Sequence, residues 1–381
     1  MKQKCIYSLL LISFVLNVMF FLSDGITYIR IKLLSRKEST TYPISKDLKD
    51  FRDKIYACNM TILTSGIRPD IPNFPEGITA RIKYNLGIDQ PKYPFFEGGE
   101  PNWVLLATLD EAISRKDIKS IAEIEQIFEN HLLGKKPTEV DCALSGCSAI
   151  VLHKYTRKKT YKEYADMMLS WLIEHDTEYG ILYRSNNKRF QLNDGYGMYM
   201  PFLNMYATAY NDSNARVLLK KQMEIATKYI MDPVSGIPVH GFAQNSSHSK
   251  VMMCNFGRGI AWFVSGLIDI DTTLLSDSCK TSIAKLDTTL CELWKSEGCF
   301  SQFPGQGGKS DLSAELPIIY YLSHKGLIRL SKSELLKYST MCDNGLLYHS
   351  SGSVSTKYSE LTGPNILSQA FMLKLLNEYD R

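Results

Sequence analysis

The chain has no Cys-x-x-Cys pair, and none of its nine Cys or seven His fall at the spacings that build a metal site. That argues against a structural metal or a metal cofactor, and none is expected. The cysteines (5, 58, 142, 147, 254, 279, 291, 299, 342) are odd in number and scattered, which also argues against a disulfide framework. Buried free thiols are the default, with a Cys291–Cys299 bridge left open. Charge of one sign is missing too: 44 Lys and Arg face 40 Asp and Glu, a net +4, and no basic block is interleaved with aromatics. Nucleic acid is therefore not an expected partner. Alternating strand patterns are few and short, such as Ile181–Arg184 and Leu346–His349. No linker or composition shift follows residue 48, so residues 49–381 read as a single domain.

The chain is 44% apolar and 22% charged, enough for a full core. Its 22 Tyr, 16 Phe and 4 Trp suit a stacking surface as well as core packing. At the N-terminus, Lys2 and Lys4 precede Cys5–Leu22, a mostly apolar run between a signal-peptide core and a full membrane span in length. With no small-x-small cleavage site after it, residues 1–26 read as a signal anchor, with a cleaved signal peptide as the alternative. Residues 27–48 read as a polar, basic tether. The expected location is at a membrane through this single segment, with the folded domain outside the cytoplasm, or else secreted. Basic residues on both flanks leave the orientation open. Asn59, Asn211 and Asn245 match the glycosylation triplet, which arises by chance too often to decide anything.

Helical periodicity dominates the remainder. Trp103–Leu133 carries apolar residues at three- and four-residue spacings. Helix pairs then recur: Ala143–His153 with Tyr161–Ile173, Met200–Tyr210 with Ala215–Met231, and Gly259–Ile270 with Leu275–Trp294. Leu312–His324 leads into Ser331–Tyr338, and Pro364–Glu378 closes the series. Gly and Pro clusters sit at corresponding ends of these units. Such a series, with long loops on one side, predicts an all-α helical toroid around a central cleft. An open array is the alternative, but no solenoid period fits.

The stretch from Asn193 to Trp262 concentrates costly choices. Asp194, His240 and Arg258 each carry a polar head that burial penalises unless it is paired. They lie among Tyr196, Trp262 and other aromatics, and aromatic walls with a few placed polar groups are how sugar-sized pockets are built. A second acid, Asp141, opens the Ala143 helix. Either acid could simply cap a helix or hold a turn. Their other use is as a pair in which one carboxyl stays protonated and the other ionised.

Five blocks carry a resemblance. They are Asp141-Cys-Ala-x-x-Gly146 with Tyr161-x-x-Tyr164-Ala165-Asp166, Asp194-x-x-x-Met198-x-x-Pro201-Phe202-Leu203, Asp232-Pro233-x-x-Gly236-x-x-x-His240-Gly241-Phe242, Arg258-Gly259-Ile260-Ala261-Trp262 and Ser310-Asp311-Leu312-Ser313-Ala314-Glu315. In order, they resemble the unsaturated glycuronyl hydrolases, glycoside hydrolase families 105 (unsaturated rhamnogalacturonyl hydrolases) and 88, over roughly residues 100 to 375. The resemblance implies an (α/α)6 barrel with six helix hairpins. It also implies a cofactor-free hydrolase that removes a terminal unsaturated uronic acid residue from an oligosaccharide. An acid protonates the C4=C5 double bond, water adds at C5, and the resulting hemiketal opens.

Carried over residue by residue, Asp194 is the general acid/base, and Asp141 binds hydroxyls and tunes its partner. His240, Arg258, Trp262 and Tyr196 contact substrate. Trp103 and Tyr199 are further candidates for the cleft wall. The chain departs from the family at Ile260-Ala261, where Asn-Gly is usual, and at Phe256, where Trp is usual. If those positions line the cleft, they bear on the substrate. They also leave a second reading open, an inactive membrane-tethered polysaccharide-binding or assembly protein on the same barrel.

Overall fold

A computed structural model describes residues 2–26, 28–29, 40–66, 68–69, 78–88, 95–181, 190–243, 249–251, 255–351 and 362–379. The helices are α1 (Lys2–Phe20), α2 (Leu48–Ser65), α3 (Ile78–Asn85), α4 (Gly99–Ser114), α5 (Ile118–His131), α6 (Ser145–Thr156) and α7 (Lys159–Glu174). They continue with α8 (Tyr196–Tyr210), α9 (Ser213–Ile225), α10 (Gly257–Ser265), α11 (Asp277–Glu297), α12 (Leu312–His324), α13 (Lys332–Lys337) and α14 (Ile366–Tyr379). The expected pairs are all present. Helix α2, which periodicity did not single out, completes the outer set.

Burial separates two kinds of helix. Helix α5 buries one stripe, Ile121, Ile124, Ile127 and Phe128, as an amphipathic helix does when its other face meets water. Helix α4 instead buries every residue from Pro101 to Leu109, and α10 buries all nine of its residues. Helices apolar on all sides belong inside. The inner helices accordingly pack in chain order, α4, α6, α8, α10, α12, α14, and α14 returns against α4, closing the ring. Outer helices pack against them: α5 on α4, α7 on α6, α9 on α8, α11 on α12, and α2 against both α4 and α14, with α13 beside α2. This mostly helical ring is the expected toroid.

Strands are confined to the loops. A three-stranded antiparallel patch of β1 (Phe190–Leu192), β2 (Gly241–Ala243) and β3 (Lys250–Val251) pairs Leu192 with Gly241. It brings the Asp194 turn beside His240. The Ser350–Ser351 strand pairs with Thr362–Gly363 ahead of α14.

Three expectations need correction or limits. Cys291 and Cys299 are both free thiols, so the bridge left open does not form. Asn59 lies fully buried within α2, which removes it as a glycan acceptor; Asn245 lies outside the described residues. Among the described residues no helix is long and apolar enough to cross a membrane. Half of the expected tether, residue 27 and residues 30–39, falls outside the described residues.

Candidate active site

Residues just ahead of four of the six inner helices, or in their first turns, converge on one cavity of about 230 Å³. Gly99 and Glu100 open α4, Asp141 lies in the turn before α6, and Asp194 lies in the turn before α8. Arg258 and Trp262 come from α10, with Met198, Phe256, His240 and Arg68 completing the wall. The starts of α12 and α14 join through hydrogen bonds: Arg258 Nε donates to Ser313 Oγ at 2.9 Å, and Asn365 Nδ2 donates to Glu100 Oε1 at 3.3 Å.

Neither acid serves as a helix cap. Asp141 sits in the 3-10 turn Val140–Leu144, and α6 begins at Leu144 without a capping side chain. Asp194 sits in the turn Asn193–Gly195, and α8 begins at Gly195 likewise. That removes helix capping as the reason for an acid at either place, and both line the cavity.

Burial pushes the Asp194 carboxyl above the usual carboxylate range; His240 and Arg258 pull it back, and the charge on Glu100 pushes it up further. Its Oδ1 lies 3.6 Å from His240 Nδ1, and neither buried atom makes a hydrogen bond. Glu100 goes the other way. Burial alone would raise it, but Arg68, Arg258 and the Asn365 hydrogen bond outweigh burial and hold its carboxyl low. Arg258 is buried, and its Nη2 reaches both the carbonyl and the hydroxyl of Ser351. The cavity thus holds two carboxyls shifted in opposite directions and a fixed guanidinium.

Two glycines let these groups approach. A Cβ on Gly197 would lie 2.5 Å from the Trp262 carbonyl oxygen and 2.9 Å from its ring. One on Gly259 would lie 2.7 Å from His240 Nδ1. The glycines around Asp194 and after Arg258 are therefore spaces for Trp262 and His240.

Of the residues expected in the site, Asp141, Asp194, His240, Arg258 and Trp262 line the cavity together. Tyr196 does not. It is fully buried against Tyr199 and Phe263, and its hydroxyl donates to the Gln222 carbonyl, so it belongs to the core. Trp103 and Tyr199 are core residues too; the Trp103 indole N–H donates to the Gly197 carbonyl. Ile260 and Ala261 are fully buried and away from the cavity, so their departure from the family pattern alters packing, whereas Phe256 does line the wall. Arg68 and Glu100 escaped the reading of the sequence. An acid directly before the Pro101-Asn102-Trp103 run was the available signal for Glu100.

A second cavity, of about 340 Å³, lies behind the Asp141 turn and is lined by Phe95, Phe96, His131, Lys135, Lys136 and Cys142 among others. It is the larger of the two but contains no carboxylate. Chemistry, not size, selects the first.

The chain is thus a closed ring of helix hairpins whose central cavity holds Asp141, Asp194, Glu100 and Arg258. Residues 106–329, more than half of the chain, match the family model described as Glycosyl Hydrolase Family 88, and the chain belongs to that family.

Solved structures agree on the fold. A family 105 glycoside hydrolase from C. acetobutylicum ATCC 824 is 17% identical, with 86% of this chain and 98% of that one covered and a TM-score of 0.63. A possible member of the same family from Klebsiella pneumoniae is 15% identical, covering 87% and 92%, at a TM-score of 0.68. An unsaturated glucuronyl hydrolase specific for heparin is 13% identical, covering 87% and 97%, at 0.58. No curated protein sequence matches the chain.

Proposed function

We propose that this enzyme removes a terminal 4,5-unsaturated uronic acid residue from oligosaccharides by hydrating its double bond. The observation that carries the reading is Asp194, a carboxyl kept above its ordinary range by burial, in a cavity shared with the fixed guanidinium of Arg258. Protonated, Asp194 donates its proton to C4 of the vinyl ether, and positive charge develops at C5 and the ring oxygen. The carboxylate left behind takes a proton from the water that adds at C5. The hemiketal then opens and releases the aglycone. Because the anomeric carbon is not attacked, the carboxylate-spacing rule for retaining and inverting glycosidases does not apply.

The surroundings favour an anionic sugar ring. The inner helices point their N-termini at the cavity, and an array of helix N-termini favours negative charge there. Arg258 offers a planar fork suited to a uronate. Asp141 is placed to accept hydrogen bonds from sugar hydroxyls, and Trp262 forms a wall for the ring. A volume of about 230 Å³ lies below the roughly 300–1,000 Å³ of drug-sized pockets and suits one terminal ring rather than a chain.

The test is to incubate the protein with lyase-generated oligosaccharides and follow loss of the double-bond ultraviolet absorbance. Consumption that Asp194→Asn abolishes is expected. Cleavage of saturated oligosaccharides alone would overturn the reading. We further propose that α1, with Leu10, Leu11, Phe14 and Leu16 all exposed, tethers the barrel to a membrane outside the cytoplasm. Sedimentation with membranes that is lost when residues 1–26 are deleted is the expected result.

A further inference from the structure

Asp311 is buried yet carries more hydrogen bonds than a helix cap requires. One cap bond, from Ser313 N–H to its Oδ1 at 3.0 Å, would close the start of α12. The carboxylate also accepts from Ser313 Oγ at 2.6 Å, from Ser351 N–H at 3.1 Å and from Ser351 Oγ. The two hydroxyls it takes are the same two that accept from Arg258: Ser313 Oγ from Nε at 2.9 Å, and Ser351 Oγ from Nη2 at 3.3 Å. Each serine passes its own proton to Asp311 and so presents a lone pair to the guanidinium.

We propose that Asp311 is the positioning residue for Arg258, acting through Ser313 and Ser351 as a two-hydroxyl relay. A carboxylate in direct contact would occupy the guanidinium face that a uronate needs. Set one hydroxyl away, Asp311 supplies the countercharge and fixes the plane of the fork from behind. The relay also ties the strand Ser350–Ser351 to α12, so two segments distant in sequence set one side chain. Directional bonds to a charged group are the strong kind, and a donor left without them in a buried site is costly.

The position of Arg258 can be tested without any substrate; its effect on turnover rests on the function proposed above. In nuclear magnetic resonance, the Arg258 Nε–H signal is identified by its absence from Arg258→Lys and is expected to exchange slowly with water. In Ser313→Ala and in Asp311→Asn that exchange should quicken about tenfold or more, whereas Ser313→Thr, which keeps the hydroxyl, should retain protection. Unchanged protection in both overturns the relay whatever the enzyme cleaves.

With unsaturated uronate substrate, Asp311→Asn should raise KM about tenfold and leave kcat within about twofold. Placed on top of Arg258→Lys, the same substitution should add less than about twofold, because the residue it acts through is already altered. Fully additive losses would mean that Asp311 serves the fold and not Arg258, and would overturn the proposal. If the wild type consumes no unsaturated substrate, the proposed function fails and the exchange measurement alone decides the relay.

Discussion

Five of the six outer helices, α2, α5, α9, α11 and α13, close their own N-termini; the sixth, α7, starts at Lys158 without a capping side chain. Asp47, Asp117, Asp212 and Ser276 each accept a backbone N–H three residues on, and Ser331 forms a full capping box with Glu334. The inner helices α4, α6, α8 and α10 start at Gly98, Leu144, Gly195 and Phe256 with no capping side chain. The other two, α12 and α14, are capped by Asp311 and Asn365, whose side chains also reach Ser351 and Glu100. Outer helices begin at the far end of the ring and inner ones at the cleft. Four of the six inner helices thus meet the cleft without a capping side chain, while local sequence closes most of the outer ones at the far end.

The same contrast holds for side chains. At the cleft, Asp194 Oδ1 and His240 Nδ1 are buried without hydrogen bonds. At the far end, where the inner helices finish, His324 bonds both Glu378 and Asp269. Lys374 lies over the rings of Trp103 and Tyr320 and 3.8 Å from Asp110. A cation near helix C-termini complements the dipole, and Lys374 is here also close to a carboxylate. One end is arranged for stability, the other for chemistry.

The sharpest way to break this comparison is Asp194→Asn. A lost general acid costs about 10²- to 10⁴-fold in rate. If the cleft is arranged for chemistry, the same change should leave the melting temperature unchanged or raise it, since the buried Oδ1 has no hydrogen bond to lose. A large fall in melting temperature would make Asp194 structural. Next comes Gly197→Ala, whose methyl group meets the Trp262 backbone. Overpacking of this kind costs about 1–3 kcal/mol and should displace Trp262, so denaturant midpoint and kcat/KM should fall together.

Acidity gives a smaller, signed effect. The Asp194 carboxyl is raised from its ordinary 3.8, so its stabilising contribution is present below 3.8 and is lost as pH rises through its native value. Melting curves should show Asp194→Asn gaining on the wild type as pH increases through that window. The Glu100 carboxyl is lowered from 4.5, so its contribution is present above 4.5 and is lost as pH falls through its native value. In activity, kcat/KM should decline as pH rises through the native value of Asp194. Because Glu100 is one of the charges that raises it, Glu100→Gln should move that limb to lower pH. An unmoved limb would separate Glu100 from the acid.

The ring was legible because its code is local. Helical spacing marked Trp103–Leu133 and each later pair, and Gly or Pro marked the turns. Helix α2 carries the same local code, with Leu48, Phe51, Ile55, Ile62 and Leu63 on one buried stripe, and was overlooked beside the polar segment that precedes it. Within the site, residues next to glycines stood out: Asp194, Arg258 and His240. Tyr196 was misplaced because a helix that is apolar all round gives no sign of which face meets the cavity; Met198, two residues on, faces it instead. Arg68 and Glu100 become site residues through a contact between separate segments, which no spacing announces.

The smallest expected effect tests the far end. His324 is partly exposed, and its ring nitrogens lie within hydrogen-bond distance of two carboxylates, Asp269 at 3.1 Å and Glu378 at 2.9 Å. It joins the loop after α10 to the last turn of α14, so it braces two inner helices where they finish. Exposed ion pairs contribute about 0–1 kcal/mol, and two hydrogen bonds to charged groups place this residue near the top of that range. His324→Ala should therefore lower stability by about 1 kcal/mol, read from the denaturant midpoint, while kcat and KM stay within about twofold of wild type. A loss of turnover larger than the loss of stability explains would mean that the far end communicates with the cleft through α12, whose first turn holds Ser313, and the division between the two ends would not stand.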